Sequence, residues 1–113
     1  MSNKRFTTML QQDAIKIVRQ YVANLNNGGV AIFKAYLFGS YARNQASESS
    51  DIDVLLVSDI FDTDDDAILS KPWSPKYRND YRIEPIAISR KQFFIDDSSI
   101  ILEMVRKEGL EIS

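Results

Sequence analysis

Two aspartates separated by one residue carry the clearest chemical signal in this chain. Asp51 and Asp53 open an apolar run that continues to Val57. Because side chains alternate along a β-strand, both carboxylates are expected on the same face of it. Two like charges on a buried strand carry a desolvation cost, and a divalent cation is the agent best suited to offset that cost. The pair therefore predicts a metal ion bound through oxygen, such as Mg²⁺.

The composition supports this prediction by elimination. The 113 residues include no cysteine and no histidine. The chain therefore has no Ser-His-Asp triad, no thiolate nucleophile, no zinc–thiolate site and no disulfide. Acid–base chemistry would fall to carboxylates, lysine or tyrosine. A metal would be bound through oxygen, which favours Mg²⁺, Mn²⁺ or Ca²⁺ over Zn²⁺.

A glycine and a serine lie ten residues before the aspartate pair. Gly39 allows a backbone to approach a ligand closely, and Ser40 with the amides that follow it is suited to bind an anion. Taken alone, these two residues are equally typical of an ordinary turn. Together with Asp51 and Asp53 they place an anion cradle beside a carboxylate pair. That combination is what a Mg²⁺–triphosphate needs.

The motif resembles that of a known family. The stretches LFGSYAR at 37–43 and SDIDVLLV at 50–57 resemble the nucleotidyltransferase fold of the DNA polymerase β superfamily. Within it they are similar to the minimal nucleotidyltransferases (MNT), whose motif is Gly-Ser, ten residues, then Asp-x-Asp. Residues 81–112 resemble the C-terminal half of such domains more weakly. The resemblance implies a third carboxylate on a later strand, and Glu84 is the only acid in the third predicted strand. Aspartate is commoner at that position, and a surface acid on an edge strand is the alternative interpretation of Glu84.

The resemblance also implies roles for the site residues. Three carboxylates would be catalytic and would hold one or two Mg²⁺ ions, with Mn²⁺ as an option: Asp51, Asp53 and Glu84. Gly39 and Ser40 would hold the outer phosphates of ATP or another nucleoside triphosphate. Arg43 would either contact phosphate or bridge to Glu48 or Asp51.

Several other residues have two interpretations. The basic residues Lys76, Arg78 and Arg82 precede Glu84 and would neutralise triphosphate charge or form a solvated turn. Three aromatic residues would stack on a base or cover the edge of the core: Trp73, Tyr77 and Tyr81. The acidic run 62–66 holds two further Asp-x-Asp triplets, but no strand surrounds it, and we interpret it as a solvated loop.

The function implied by the resemblance is nucleotidyl transfer. A nucleoside monophosphate, AMP from ATP as the simplest case, would move to a hydroxyl acceptor. The resemblance to MNT antitoxins implies a tyrosine on a helical HEPN-type toxin as that acceptor. A module from a different class is the alternative: a catalytically weak or inactive domain that neutralises a partner by binding it. Assembly of several copies of this chain into a homo-oligomer is a further option.

The charge and hydropathy exclude other partners. The net charge of −2 provides no basic surface for nonspecific nucleic-acid binding. No apolar run is long enough for a membrane span, and no secretory signal is present, so we expect a cytoplasmic protein.

The elements that must position these residues follow from periodicity and turn signals. We expect one domain over residues 1–113, of the α/β (α+β) class, with a small mixed sheet of three to four strands packed by helices. Strands are predicted at 31–38, 51–57 and 81–88. Helices are predicted at 6–26, 40–45, near 64–70, at 90–97 and at 98–108. Strand 51–57 is expected to be central, and Pro85 is expected to mark an edge strand or a bulge.

Overall fold

Four strands form one mixed sheet in the computed structural model of this protein, which describes residues 10–112. The strand order is β3-β2-β1-β4. Strand β1 is antiparallel to both of its neighbours, whereas β2 and β3 are parallel. The strands have these bounds: β1 Lys34–Phe38, β2 Ile52–Val57, β3 Ile83–Ile88 and β4 Leu110–Glu111.

Within residues 10–112, one helix precedes the first strand, and three helices and two short 3-10 turns follow the second strand. The helices have these bounds: α1 Gln11–Asn27, α2 Asp66–Leu69, α3 Arg90–Ile95 and α4 Ile100–Glu108. The 3-10 turns cover Asp59–Phe61 and Lys71–Trp73. The side chains of Asp65, Ser89 and Ser99 each accept a hydrogen bond from a backbone amide of the helix that follows, which is the usual N-cap arrangement. Within residues 10–112, no helix is long and apolar enough to cross a membrane.

Helix α1 covers one face of the sheet. Its buried side chains recur at spacings of three and four residues, as an amphipathic helix requires: Ala14, Val18, Tyr21, Val22 and Leu25. They pack with Val54 and Leu56 of β2. The hydroxyl of Tyr21 donates a hydrogen bond of 2.7 Å to the carbonyl of Pro72, so α1 also fixes the connection between β2 and β3.

Helix α4 covers the opposite face. Leu102 and Val105 are buried against Leu55 and Val57 of β2. Strand β2 is therefore apolar on both sides, and the prediction that it is a central strand is confirmed. Strand β3 lies at the edge of the sheet, where Pro85 costs no ladder hydrogen bond on the open side.

Several predicted boundaries and one predicted helix are wrong; strand β3, for example, begins at Ile83, two residues later than predicted. Helix α1 begins at Gln11, because Leu10 has an extended backbone and donates its amide to the Asp13 carboxylate. Residues 6–9 of the predicted helix lie outside the described residues. Residues 40–45 form turns instead of a helix, because Asn44 adopts a left-handed backbone with φ of 58°. Strand β1 begins at Lys34, three residues later than predicted.

The short strand β4 was not predicted. It has only two residues, Leu110 and Glu111, which pair with Leu37 and Tyr36 of β1. A two-residue strand has no hydrophobic alternation to detect, and its pairing arises only once α4 has returned the chain to the sheet. Strand β4 covers the edge of β1 that would otherwise be open.

Candidate active site

Strand register brings two of the predicted acids together. Asp53 lies opposite Phe38 of β1 and opposite Glu84 of the parallel strand β3. Residues in direct register point to the same side of a sheet, so both carboxylates lie on the face that α4 covers. Asp51 precedes Asp53 by two residues and shares that face. The three acids of the sequence prediction therefore lie at the same end of the sheet.

The carboxyl group of Glu84 interacts directly with that of Asp51. A hydrogen bond between the two groups raises the pKa of Glu84, and burial and the negative charges of Asp51 and Asp53 raise it further. The positive charge of Arg78 acts in the opposite direction.

The pKa of Asp53 is raised as well. Partial burial raises the pKa of its carboxyl group, and the charge of Asp51 raises it further, while Arg43 opposes the change. The crowded carboxylates thus have two nearby cations, Arg43 and Arg78. Such a cluster gains most from an additional positive charge placed between the oxygens.

Gly39 provides the space for the Asp53 side chain. Its backbone has a φ of +78°, a conformation that L-residues rarely adopt. A Cβ atom built at this position would overlap with Oδ2 of Asp53. Both the backbone geometry and the close approach of Asp53 therefore require glycine.

The turn after Gly39 leaves donors available. The amides of Arg43, Asn44 and Gln45 donate to carbonyls at the start of the turn, over distances of 2.8 to 3.1 Å. Among residues 10–112, no group accepts a hydrogen bond from the backbone amides of Ser40, Tyr41 or Ala42. Three successive free amides beside a positive-φ glycine suit an anion such as a phosphate.

Gln11 holds this turn in place, a role that no local pattern of residues predicts. Its side-chain amide donates to the carbonyls of Tyr41 and Ala42, at 2.9 Å and 3.1 Å. The contact joins the first turn of α1 to the loop across some thirty residues of chain. Only the assembled fold reveals it, because a glutamine at a helix start is compatible with many local roles.

Arg43 forms an ion pair that differs from both predicted bridges. Its guanidinium donates to the Glu108 carboxylate of α4 at 2.9 Å, and not to Glu48 or Asp51. The antiparallel connection through α4 and β4 brings Glu108 to this end of the sheet. The phosphate role of Arg43 stays a prediction.

Two basic residues of the segment before β3, Arg78 and Arg82, have different partners. Arg82 forms an ion pair with Asp80 at 2.8 Å, and the guanidinium of Arg78 lies over the Trp73 ring, 5.2 Å from its centroid. Tyr77 is buried, so its predicted role in covering the core is confirmed. Tyr81 is 83% exposed and does not cover the core. The four aspartates of the acidic run 62–66 are exposed, as predicted for a solvated segment, but Asp65 caps helix α2 and Asp66 begins it, so the run is not a loop throughout.

The donor set is compatible with a hard divalent cation. Asp51, Asp53 and Glu84 supply only carboxylate oxygens, which Mg²⁺ and Mn²⁺ prefer. Within the described part of the chain, no three acidic side chains already surround a common point as a completed metal centre does. The assignment of these residues to a metal therefore rests on their chemistry and their crowding.

Comparisons with known proteins agree with this geometry. The chain resembles the crystal structure of a protein from Sulfolobus solfataricus that has been assigned as a nucleotidyltransferase, with a TM-score of 0.63 and 19% sequence identity. The match covers 89% of this chain and 80% of that one, and at this identity it shows the fold alone. Comparison with curated proteins finds no match. A family model described as a nucleotidyltransferase domain matches residues 15–103. Since that match spans most of the chain, the protein belongs to the nucleotidyltransferase domain family.

Proposed function

We propose that this domain transfers a nucleoside monophosphate, AMP from ATP, to a hydroxyl group of an acceptor. The observation that supports the proposal is the placement of Asp51, Asp53 and Glu84 at one end of the sheet, with Asp53 against Gly39. Membership of the family supports the general activity. The choice of ATP and of a protein acceptor goes further and rests on the resemblance to minimal nucleotidyltransferases.

The Gly39 turn would bind the outer phosphates of the nucleotide. The free amides of Ser40, Tyr41 and Ala42 are donors for phosphate oxygens, and the Ser40 hydroxyl is a further donor. Arg43 adds positive charge from the end of the same turn, and Glu108 fixes its orientation. The phosphates would thereby lie next to Asp53, whose carboxylate adjoins Gly39.

The three carboxylates would hold one or two Mg²⁺ ions. Bound there, Mg²⁺ would neutralise the phosphate oxygens and the pyrophosphate that departs. The negative field of Asp51, Asp53 and Glu84 would otherwise repel a triphosphate. The carboxylates and the turn thus support binding of the nucleotide as its magnesium complex.

The transfer itself exchanges one phosphorus–oxygen bond for another. The acceptor oxygen forms a bond to the α-phosphorus, the bond from that phosphorus to the bridging α–β oxygen breaks, and pyrophosphate leaves. Glu84 would either ligate the second metal or accept the proton of the attacking hydroxyl, and the raised pKa that Asp51 and Asp53 give its carboxyl group supports the second role. No imidazole is needed, in keeping with a chain that has no histidine.

A tyrosine of a helical HEPN-type toxin is the acceptor we propose, which would make this protein the antitoxin. The resemblance to MNT antitoxins supports this choice. The net charge of −2 is in keeping with a protein acceptor instead of a nucleic acid. The alternative is neutralisation of the partner by binding alone, without turnover.

Label transfer tests the proposal and its alternative together. The protein is incubated with Mg²⁺, ATP labelled at the α-phosphate, and a candidate helical HEPN-type protein. We expect label on a partner tyrosine with the wild type and with Asp64→Asn, whose carboxylate lies in the exposed acidic loop. We expect none with Asp53→Asn. If the two proteins form a complex but the partner carries no label, the proposal of an enzyme is wrong and neutralisation by binding alone is the function.

A further inference from the structure

Helix α4 has a second row of side chains besides its buried one. Leu102 and Val105 pack into the core, whereas five other residues, at spacings of three and four, form a stripe along another side of the helix. Together with Arg43 from the Gly39 turn, this stripe lines a groove of about 320 Å³: Ile100, Glu103, Met104, Lys107 and Glu108. We call this the α4 groove.

The α4 groove belongs to the same side of the sheet as the three carboxylates. Helix α4 packs on Leu55 and Val57, which alternate with Asp53 along β2 and point the same way. Arg43 connects the two regions. It lines the groove, it pairs with Glu108 at 2.9 Å, and its charge acts on the Asp53 carboxyl group.

The walls of the groove combine an apolar surface with a charged rim. Ile100 is 76% exposed, although it is a large aliphatic residue, and Met104 beside it is half-buried. Two ion pairs border this surface, Arg43–Glu108 at 2.9 Å and Lys107–Glu103 at 3.0 Å. An apolar surface with polar groups at its edge suits a flat aromatic ring whose heteroatoms lie at the periphery.

We propose that the α4 groove binds the nucleobase of the nucleoside triphosphate. The inference rests on the proposed function, because the phosphates must first lie on the Gly39 turn. Arg43 belongs to that turn and also lines the groove together with Ile100 and Met104, so the groove adjoins the turn that would hold the phosphates. The base gains the burial of apolar surface, and Ile100 loses its exposure to water.

A second groove with aromatic walls is less suitable. It is lined by Trp73, Arg78 and Tyr81, among others. One face of the Trp73 ring lies under the Arg78 guanidinium at 5.2 Å, and one face of the Tyr81 ring lies under Arg82 at 5.7 Å. This groove contains no residue of the Gly39 turn, whereas the α4 groove contains Arg43 and is therefore continuous with the turn that would hold the phosphates.

Binding measurements on an exposed residue test the proposal. Ile100→Ser removes the apolar surface at the first residue of α4 and leaves the buried residues of the helix unchanged. Ile95→Ser is the matched control, because Ile95 is 68% exposed and ends the neighbouring helix α3 outside the groove. Calorimetry then gives Kd values for MgATP and for magnesium tripolyphosphate, which has the phosphates but no base.

We expect Ile100→Ser to weaken MgATP binding about fivefold to tenfold, as for the loss of one aliphatic contact, and to leave the tripolyphosphate Kd unchanged. Ile95→Ser should match the wild type for both ligands. An unchanged MgATP Kd in Ile100→Ser would overturn the α4 groove but leave the proposed function intact. Failure of the wild type to bind either ligand would overturn both.

Photolabelling with 8-azido-ATP provides a second, independent measurement on the wild type. The azide lies on the base, so the label marks the residues around it. We expect it in the peptide that contains Ile100 and Met104. A label found instead on the peptide that contains Trp73 or Tyr81 would contradict the proposal and would show that the base binds in the second groove.

Discussion

The carboxylate of Asp53 lies against the α-carbon of Gly39, in the space that any side chain at residue 39 would occupy. The contact joins the end of β1 to the start of β2, where the antiparallel register places Phe38 opposite Asp53. Glycine at this position therefore does two things. It permits a φ of +78°, and it leaves room for a carboxylate that faces Glu84 on its other side. The Gly39 turn and the Asp53 carboxylate are therefore packed directly against each other.

Substitution of Gly39 should cost more than its backbone strain alone. We expect Gly39→Ala to lower the free energy of unfolding by about 1–2 kcal/mol for the left-handed backbone. Displacement of Asp53 should add about 1 kcal/mol more. Denaturant unfolding followed by circular dichroism measures both terms.

Gly29 provides the matched control for that substitution. Its φ of +87° is similar, but a Cβ atom there would meet nothing within 4 Å. Gly29→Ala should therefore show the strain without the overlap. Equal losses in the two variants would mean that Asp53 moves aside at no cost, and the close contact would then have no energetic role.

The motif residues could be placed from the sequence because their signals are local. The glycine before a turn, the aspartates at the start of an apolar run and the proline of an edge strand each have a short-range physical cause. Glu84 could be assigned because it is the only acid in its strand, and the register with Asp53 agrees with that choice.

The features that could not be predicted from the sequence depend on contacts between residues far apart in the chain. Nothing near Arg43 indicates that Glu108 would be its partner, since the two residues are 65 positions apart. Gln11 and the two-residue strand β4 are similar cases, because their contacts exist only in the assembled fold. The predicted helix at 40–45 failed for a local reason, the left-handed Asn44.

Removal of one crowded carboxylate should stabilise the metal-free protein. Asp53→Asn removes a charge that Asp51 repels and that burial disfavours, so we expect the Tm to rise by about 2–4 °C without metal. Addition of Mg²⁺ should raise the Tm of the wild type, because a ligand that binds only the folded state stabilises it. The variant should show a much smaller rise, and scanning calorimetry with and without Mg²⁺ measures both effects.

Asp64→Asn controls for the general loss of one negative charge. This residue lies in the exposed acidic run and should change neither the metal-free Tm nor the response to Mg²⁺. If Mg²⁺ stabilises Asp53→Asn as strongly as the wild type, the ion binds elsewhere on the protein.

The ion pair between Asp80 and Arg82 should contribute to the free energy of unfolding at neutral pH, and this contribution should be lost at acidic pH. A hydrogen bond from Arg82 lowers the pKa of Asp80 below its usual value. A depressed pKa in the folded state means that the contribution is complete above the unfolded pKa of about 3.9 and is lost as the pH falls through the folded pKa. We expect Asp80→Asn to cost about 1 kcal/mol at pH 7, and less as the solution becomes more acidic.

Urea unfolding of both proteins at pH 7 and at about pH 3 measures this difference. Asp97→Asn, at an exposed position between α3 and α4, is the control and should behave as the wild type at both values. A constant difference between Asp80→Asn and the wild type at all pH values would show that the ion pair does not titrate as described.

Loss of the Gln11 side chain should loosen the Gly39 turn without unfolding the protein. Gln11→Ala removes two hydrogen bonds, to the carbonyls of Tyr41 and Ala42, so we expect the free energy of unfolding to fall by about 1–2 kcal/mol. The free amides of the turn would also be less well ordered, and the affinity for magnesium tripolyphosphate should fall about threefold or more. Gln12→Ala is the matched control, because Gln12 is an exposed neighbour on the same helix. A Gln11→Ala variant that loses stability but keeps its tripolyphosphate Kd would show that Gln11 supports the fold and does not position the phosphate turn.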